Sequence, residues 1–305
     1  MQSILSKVKL GTQFGGRPPA AVEIAPEGVL AAASPAKGQP PVYAFQPLAA
    51  GSLVPGIGEP NVRAAEGIAN AIRSTLGQVS PRTRAVTLVI PDTVVRVFVL
   101  DFDSLPGKAA EAYSVLRFRL RKIVPFDIEH AAVSYQVLTE SKSELKVLTA
   151  VIPGAILAEY EAAVRAAGYE PGAVLSSSLA SLAGIDSLEA VLVANFNGLA
   201  LTTSITNGND LLLYRTLDLP EDTDQRLEEV RRGVAVAAAY FEDKLQARPS
   251  RLLYSGDGSA RDFAQWIEDP DLAVDDLAPR PETGIMTALG DLNIAAVTGA
   301  LAEAG

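Results

Sequence analysis

The feature that most constrains the fold is an order of short β-rich runs and helical stretches that occurs twice. In each half, three β-rich runs precede an apolar-periodic helical stretch, around 62–72 or 223–245, and then a fourth run. The runs are 20–24, 28–33, 42–45 and 85–90 in the first half and 190–194, 199–205, 211–217 and 251–254 in the second. This alternation predicts an α/β chain with two lobes of the same topology.

A compact unit interrupts the first half. Residues 93–138 contain a strand (VVRVFVLDF), a helix from about Lys108 to Ile123, a Pro-Phe-Asp turn and a second strand. A further strand and a helix that stops before Gly168 are expected to complete the first lobe. The predicted segments are a tail (1–17), a first lobe in two parts (18–92 and 146–186), an inserted subdomain (93–145) and a second lobe (187–305) that includes a helical region (220–248).

Composition narrows the function classes. The 305 residues are 48% hydrophobic, enough to fill two cores, and the net charge of −10 argues against binding to nucleic acid or anionic lipid. The chain has no Cys and one His, which excludes a thiolate nucleophile, a His-based triad and a multi-histidine metal site. Neither a signal peptide nor an apolar run of about 18 residues is found, so a chain without a membrane span is expected.

Several motifs give the chain a family resemblance. The stretches VRVFVLDF, VPFDIE and AVSYQVL resemble the inserted subdomain of PilM, an actin-like protein family of type IV pilus assembly, and SSSLASL, RRGVAVAAAYFEDK and LLYSGDGSA extend the similarity. The residues that fall on the subdomain pattern are Arg119, Pro125, Phe126, Asp127 and Tyr135. The chain is also similar, more distantly, to the GspL cytoplasmic domain and to FtsA. The resemblance implies an actin-like, ribonuclease H-like duplicated α/β fold with an inserted small subdomain in the first lobe.

The first of three loops that hold a nucleotide in such proteins is altered here. Where the family has Asp-Ile-Gly, this chain has Glu23, Ile24 and Ala25, followed by Pro26 and Glu27. A phosphate-binding loop needs backbone N–H donors and glycine for close approach, whereas proline removes a donor. Glu27 adds negative charge where phosphate would lie. These changes predict poor phosphate binding.

The second and third loops are altered less. The family's Asp-x-Gly is replaced by Asn195-Phe196-Asn197, whose amides fit a turn better than they fit a remodelled binding site. Hydrolysis is therefore not expected, because phosphoryl transfer depends on positioned metal and water. The third loop keeps its Gly-Asp-Gly core. The predicted residues of a residual nucleotide cleft are Glu23, Asn195, Asn197, Thr202, Thr203, Gly256, Asp257, Gly258 and Ser259.

The resemblance implies a scaffold without catalytic residues, metal or required cofactor. Such a protein would bind the N-terminal cytoplasmic peptide of a PilN-like inner-membrane partner, in a groove between 93–138 and the first lobe, and would be cytoplasmic and peripheral to the inner membrane. Two alternatives stay open: an ATP- or ADP-binding switch or slow ATPase, and a GspL-like type II secretion component. A basic cluster at Arg117, Arg119, Arg121 and Lys122 is either a solvated helix face or a partner-binding patch.

Overall fold

A computed structural model describes residues 17–34, 39–141, 145–208, 210–278 and 292–302. The predicted tail lies outside these ranges except for Arg17. The strands are β1 (Ala20–Ala25), β2 (Gly28–Ala33), β3 (Val42–Pro47), β4 (Ala85–Ile90), β5 (Arg96–Phe102), β6 (Ala131–Glu140), β7 (Leu145–Pro153), β8 (Glu170–Ser176), β9 (Ala190–Asn197), β10 (Ala200–Asn207), β11 (Asp210–Asp218), β12 (Arg251–Gly256) and β13 (Ala273–Asp276). The helices are α1 (Ala65–Val79), α2 (Ala109–Leu120), α3 (Gly154–Ala166), α4 (Ser177–Ser181), α5 (Thr223–Leu245), α6 (Ala260–Ile267) and α7 (Ala295–Leu301). Within these ranges, no helix is both long and apolar enough to cross a bilayer.

The first lobe is built on a five-stranded sheet of order β3-β2-β1-β4-β8. Its first three strands form antiparallel hairpins, while β4 and β8 join in parallel. Helix α1 covers the sheet because Ile68, Ile72 and Leu76 recur at four-residue spacing and are almost fully buried.

The second lobe repeats this arrangement strand for strand, with the order β11-β10-β9-β12-β13. One face of its sheet packs Leu201 and Ile205 against α5 and α6, through Val230 and Phe263. The other face turns toward the first lobe, where Val193 and its neighbours join the large core of that lobe. The duplicated α/β fold predicted from the sequence is confirmed.

The inserted subdomain is a three-stranded sheet of order β5-β7-β6. Helix α2 covers one face by packing Leu116 and Leu120 against Val147 and Val151. The sequence prediction ended this unit at residue 145 and gave the next strand to the first lobe. The observed pairing differs: β7 lies between β5 and β6 and holds them together, so the sheet continues to Pro153.

The last helix, α7, lies on the first lobe, whereas the prediction gave all of 187–305 to the second. It packs against α4 and β1, and the Tyr43 hydroxyl of β3 is 2.9 Å from the Thr298 hydroxyl. Helices α7 and α4 approach closely because Gly299 of α7 has no side chain: a Cβ there would lie 2.1 Å from the carbonyl oxygen of Ala180 in α4. An alanine-rich helix suits this position, since only small residues permit such contact.

Candidate functional site

A cavity of about 530 Å³, here called the interlobe cleft, lies between the two lobes. The β1–β2 and β9–β10 hairpins and the turn after β12 all reach it. The predicted site residues that line it are Glu23, Asn195, Asn197, Gly256, Asp257 and Gly258. The structure therefore brings residues from all three predicted loops to one place.

The first loop is a tight hairpin in which Pro26 and Glu27 form the turn between the paired residues Ala25 and Gly28. Gly28 is required by packing: a Cβ would lie 2.4 Å from the Phe45 ring and 2.5 Å from a backbone oxygen. Proline has no N–H to offer, and the Glu27 side chain is exposed at the turn. This loop has the hairpin of a phosphate-binding loop, with one backbone donor removed at Pro26.

Glu23 lies in β1 beneath this turn and is partly buried. Burial is the main reason that its pKa rises from the ordinary 4.5 to about 7, and the negative charges of Asp92, Glu27 and Asp257 act in the same direction. A hydrogen bond from the Ser177 side chain opposes the rise. Near neutral pH, Glu23 is therefore close to half-protonated.

Asp92, which the sequence reasoning missed, links the two lobes. It follows β4 and is only 1% exposed. From the first lobe its carboxylate accepts hydrogen bonds from the Ser178 hydroxyl (2.7 Å) and backbone N–H (3.2 Å). From the second lobe it accepts them from Asn197 Nδ2 (3.0 Å) and the Tyr214 hydroxyl (3.3 Å). Burial raises the pKa of both Asp92 and Tyr214. The only sequence signal for this link between the lobes was the position of an acidic residue, Asp92, directly after a buried strand.

The second loop is uncharged. Asn195 is 3% exposed, and its Nδ2 donates to the Ser255 hydroxyl at 3.1 Å. Asn293 Nδ2 donates to the same hydroxyl at 2.9 Å. Among the described residues, the Oδ1 atoms of Asn195 and Asn197 have no hydrogen-bond partner. The loop thus presents neutral amides in place of the carboxylate that would position metal-bound water.

The third loop runs from Gly256 to Ser259. Gly256 has φ of 154°, and a Cβ there would lie 2.0 Å from the Phe196 carbonyl oxygen, so only glycine fits. Asp257 stands at the mouth of the cleft, where loss of hydration and then the charge of Glu27 raise its pKa to about 6. Ser259 caps α6 through a reciprocal hydrogen-bonded pair with Asp262.

Three predicted site residues do not line the cleft. Ser259 is used as the cap of α6. Thr202 lies on the face of β10 that points toward the first lobe, but its hydroxyl pairs with the Thr216 hydroxyl at 2.9 Å. Thr203 alternates to the opposite face, with Leu201 and Ile205. Strand alternation separates these two threonines, so they do not act together on one ligand.

The charge of the cleft has one sign. Glu23, Glu27 and Asp257 line it, and no Lys or Arg is among its described lining residues. No group of three or more potential metal ligands is found within the part of the chain that the structure describes. The cleft therefore repels phosphate groups electrostatically.

A second cavity, here called the subdomain groove, has a volume of about 890 Å³. It lies between the inserted subdomain and the second lobe, with Val99 and Arg119 on one side and Leu213 and Tyr240 on the other. The sequence analysis expected a groove on the first-lobe side. The ion pair of Arg96 with Asp218, 2.6 Å long, joins β5 to β11.

The basic cluster of α2 separates into different roles. Arg117 donates to the backbone carbonyls of Ile128 and Ala131, and Arg121 pairs with Glu129. Lys122 lies 5.0 Å above the Phe118 ring. Arg119 is the member that lines the subdomain groove. The cluster is thus neither a uniform solvated face nor a single patch.

Comparison with known proteins gives similarity in structure alone. No protein-family model and no curated protein matches the sequence. A PilM–PilN type IV pilus biogenesis complex is similar with a TM-score of 0.71 and 18% identity, over 94% of this chain and 98% of that chain. A Bacteroides thetaiotaomicron protein with an actin-like ATPase fold and unknown function has a TM-score of 0.54 and 13% identity, over 94% and 96%. The cytoplasmic domain of EpsL, an inner-membrane component of the Vibrio cholerae type II secretion system, has a TM-score of 0.51 and 13% identity, over 90% and 96%. The chain has the actin-like fold, and its predicted resemblance to PilM is confirmed in three dimensions.

Proposed function

We propose that this chain is a scaffold of type IV pilus assembly that binds the N-terminal cytoplasmic peptide of a PilN-like inner-membrane protein and does not hydrolyse nucleotide. The observation that carries the proposal is the similarity to a PilM–PilN complex over nearly the whole of both chains. The similarity to the EpsL cytoplasmic domain supports a position at the cytoplasmic face of the inner membrane. It also keeps a GspL-like secretion component as the alternative.

The chemistry of the interlobe cleft supports a scaffold without hydrolysis. Phosphoryl transfer needs donors and cations around the transferred group and a positioned water. Here Pro26 lacks a backbone N–H donor, and Asn195 cannot act as a carboxylate. The described lining carries three acidic side chains and no Lys or Arg. Losses in two separate loops leave little for catalysis to use.

The face of the inserted sheet away from α2 is the proposed peptide site. Gln136 lies on this face in β6, the edge strand opposite the groove-lining Val99 of β5, and it is in register with Leu148, which packs in the first-lobe core. Gln136 is 7% exposed, and neither its Oε1 nor its Nε2 has a partner among the described residues. A peptide backbone offers a donor and an acceptor together, which is what a buried amide needs.

A matched pair of substitutions tests this proposal. Gln136→Leu removes both unpaired amide atoms, so we expect it to leave the fold intact while weakening binding of a synthetic peptide of the partner's first residues by about tenfold. Thr149→Val removes another buried, unpaired polar atom on the opposite face of the same sheet, and binding should not change. Calorimetric titration and thermal melting measure both. Absence of binding to the unaltered chain at high micromolar peptide would contradict the proposal.

The Gly256-Asp257-Gly258 turn at the cleft favours a second candidate, an ATP-binding switch of the same fold. Calorimetry with ATP and Mg²⁺ separates the candidates. Tight, Mg²⁺-dependent binding would support the switch, whereas no heat at millimolar nucleotide supports the scaffold.

A further inference from the structure

We propose that the interlobe cleft is a binding site for a small organic ammonium ion with an apolar body. This inference is independent of the peptide site and goes beyond a scaffold role. It rests on the charge, the unpaired atoms and the shape of the cleft, all of which suit a cation and oppose a phosphate.

The charged groups of the cleft are all acids. Glu23 is partly buried in the cleft, and Glu27 and Asp257 are exposed at its edge on opposite lobes. Since no Lys or Arg is among the described lining residues, these carboxylates have no counter-charge within the cleft. A ligand with one positive charge would offset their mutual repulsion.

Of the three unpaired polar atoms that the described cleft-lining residues bury, two are amide oxygens, which only accept, and the third is the Thr93 hydroxyl, which can donate or accept. Asn195 is almost fully buried, lines the cavity and has an Oδ1 without a partner among the described residues. Asn197 also has an unpaired Oδ1, and its orientation is fixed because its Nδ2 must donate to the Asp92 carboxylate. An ammonium group has three donors and no acceptor, whereas a phosphate offers mainly acceptors. The cleft therefore matches an amine and mismatches a nucleotide's phosphates.

The remaining lining is apolar and fits a compact ligand. Leu30, Phe45 and Pro55 border the cleft on the first lobe, and Leu199 does so on the second. A volume of about 530 Å³ is in the range of small-molecule sites. An aromatic or aliphatic amine would bury its body here with its charge toward Glu23.

Binding of a cation should release a proton. The pKa of Glu23 is about 7 when the cleft is empty of positive charge, and the charged groups that face it are the acids Asp92, Glu27 and Asp257. An ammonium ion beside Glu23 favours the ionised carboxylate and lowers this pKa. At pH 7, binding should therefore release up to roughly half a proton.

The test uses three probes of nearly the same shape: phenethylammonium, 2-phenylethanol and phenylacetate, with Mg²⁺-ATP as a fourth. In calorimetric titrations of the full chain, we expect the cation to bind about tenfold more tightly than the alcohol, and phenylacetate not to bind. Titrations in two buffers of different ionisation enthalpy measure the released proton. Glu23→Gln and, as a second variant, Asp257→Asn should each weaken cation binding.

The exposed Glu140→Gln is the matched control, because it makes the same substitution outside the cleft, in the inserted sheet. It should leave cation binding unchanged. The proposal is overturned if the alcohol binds as tightly as the cation, if Glu140→Gln weakens binding as much as Glu23→Gln, or if Mg²⁺-ATP binds more tightly than the ammonium ion. Loss of peptide binding would not bear on it.

Discussion

The two lobes have the same sheet order but different chemistry at equivalent positions. Glu23 in β1 and Asn195 in β9 each lie two residues before the last residue that pairs across the hairpin. On the adjacent parallel strand, the neighbour of Glu23 is Val89, whereas the neighbour of Asn195 is Ser255. The first lobe thus places an acid beside an aliphatic side chain, and the second places an amide beside a hydroxyl.

This difference decides how well each polar group is paired. The Ser255 hydroxyl bonds to Asn195 and Asn293 and is 3.4 Å from the Ser181 hydroxyl, so the second lobe has a neutral network. Glu23 has a hydrogen bond to Ser177 and three acids around it. Shared topology fixes where a side chain lies, while burial and the groups that surround the side chain determine its protonation.

The largest expected effect on the free energy of unfolding comes from a position where the equivalent side chains of the two lobes differ in size rather than in charge. Gly256 lies beside Phe196, whereas the equivalent position of the first lobe is Ile90. Gly256→Ala should destabilise the chain by about 3 kcal/mol or more, because its Cβ would meet backbone atoms and its φ is unfavourable. Urea unfolding measures the loss. Gly77→Ala, in an open helical position, should instead stabilise by about 0.5 kcal/mol, and equal effects would contradict the account.

Removing the link between the lobes should have the next largest effect. Asp92→Ala leaves donors from Ser178, Asn197 and Tyr214 without their acceptor, so we expect a loss of about 3 kcal/mol. Asp218→Ala breaks an exposed ion pair that also joins two parts of the molecule, and should cost less than about 1 kcal/mol. Denaturant unfolding of both variants decides whether burial of the carboxylate, rather than its bridging position, carries the energy.

Replacing the acid of the first lobe by an amide makes the two lobes alike. Because the folded pKa of Glu23 lies above its ordinary value of 4.5, the folded state holds the proton more strongly, and stability falls as pH rises from about 4.5 to about 7. Glu23→Gln should abolish this fall and so stabilise the chain by roughly 3 kcal/mol at pH 8, with little effect at pH 4. Thermal unfolding across a range of pH measures this difference in stability. A stabilisation by Glu23→Gln that does not vary with pH would contradict the explanation.

The smallest effect concerns the hydroxyl pair in the second lobe. Thr202→Val leaves the Thr216 hydroxyl unpaired and should destabilise by about 1 kcal/mol. The double variant with Thr216→Val should recover part of this loss, since both hydroxyls are then absent. A double-mutant cycle in urea gives the coupling, and strictly additive losses would show that the pair does not matter.

The sequence predicted the elements well because its patterns are local. The β-rich runs of both hairpins and the bounds of the long helix 223–245 follow from alternation and apolar spacing. The places of β7 and α7 did not follow. Both segments are apolar, so their sequence fits either of the neighbouring sheets or lobes. The position of β7 depends on the space between β5 and β6, and the position of α7 depends on its close approach to Ala180.

The site was predictable in its loops but not in its contacts. Family motifs located the three loops, and six of the nine predicted residues meet at the cleft. Asp92 was missed because its donors come from three elements far apart in sequence, and no local motif encodes that convergence. Thr202 and Thr203 were grouped by chemistry, although neighbouring strand residues point to opposite faces.

The return of α7 to the first lobe sets an order for folding during synthesis. Its buried residues belong to the same core as β1 and β4, yet the ribosome makes them only after the whole second lobe. The first lobe therefore emerges with an apolar surface open where Ile294–Leu301 will later lie, and we expect its core to be completed only after α7 is made. The second lobe, whose strands are contiguous in the chain, can complete its sheet first.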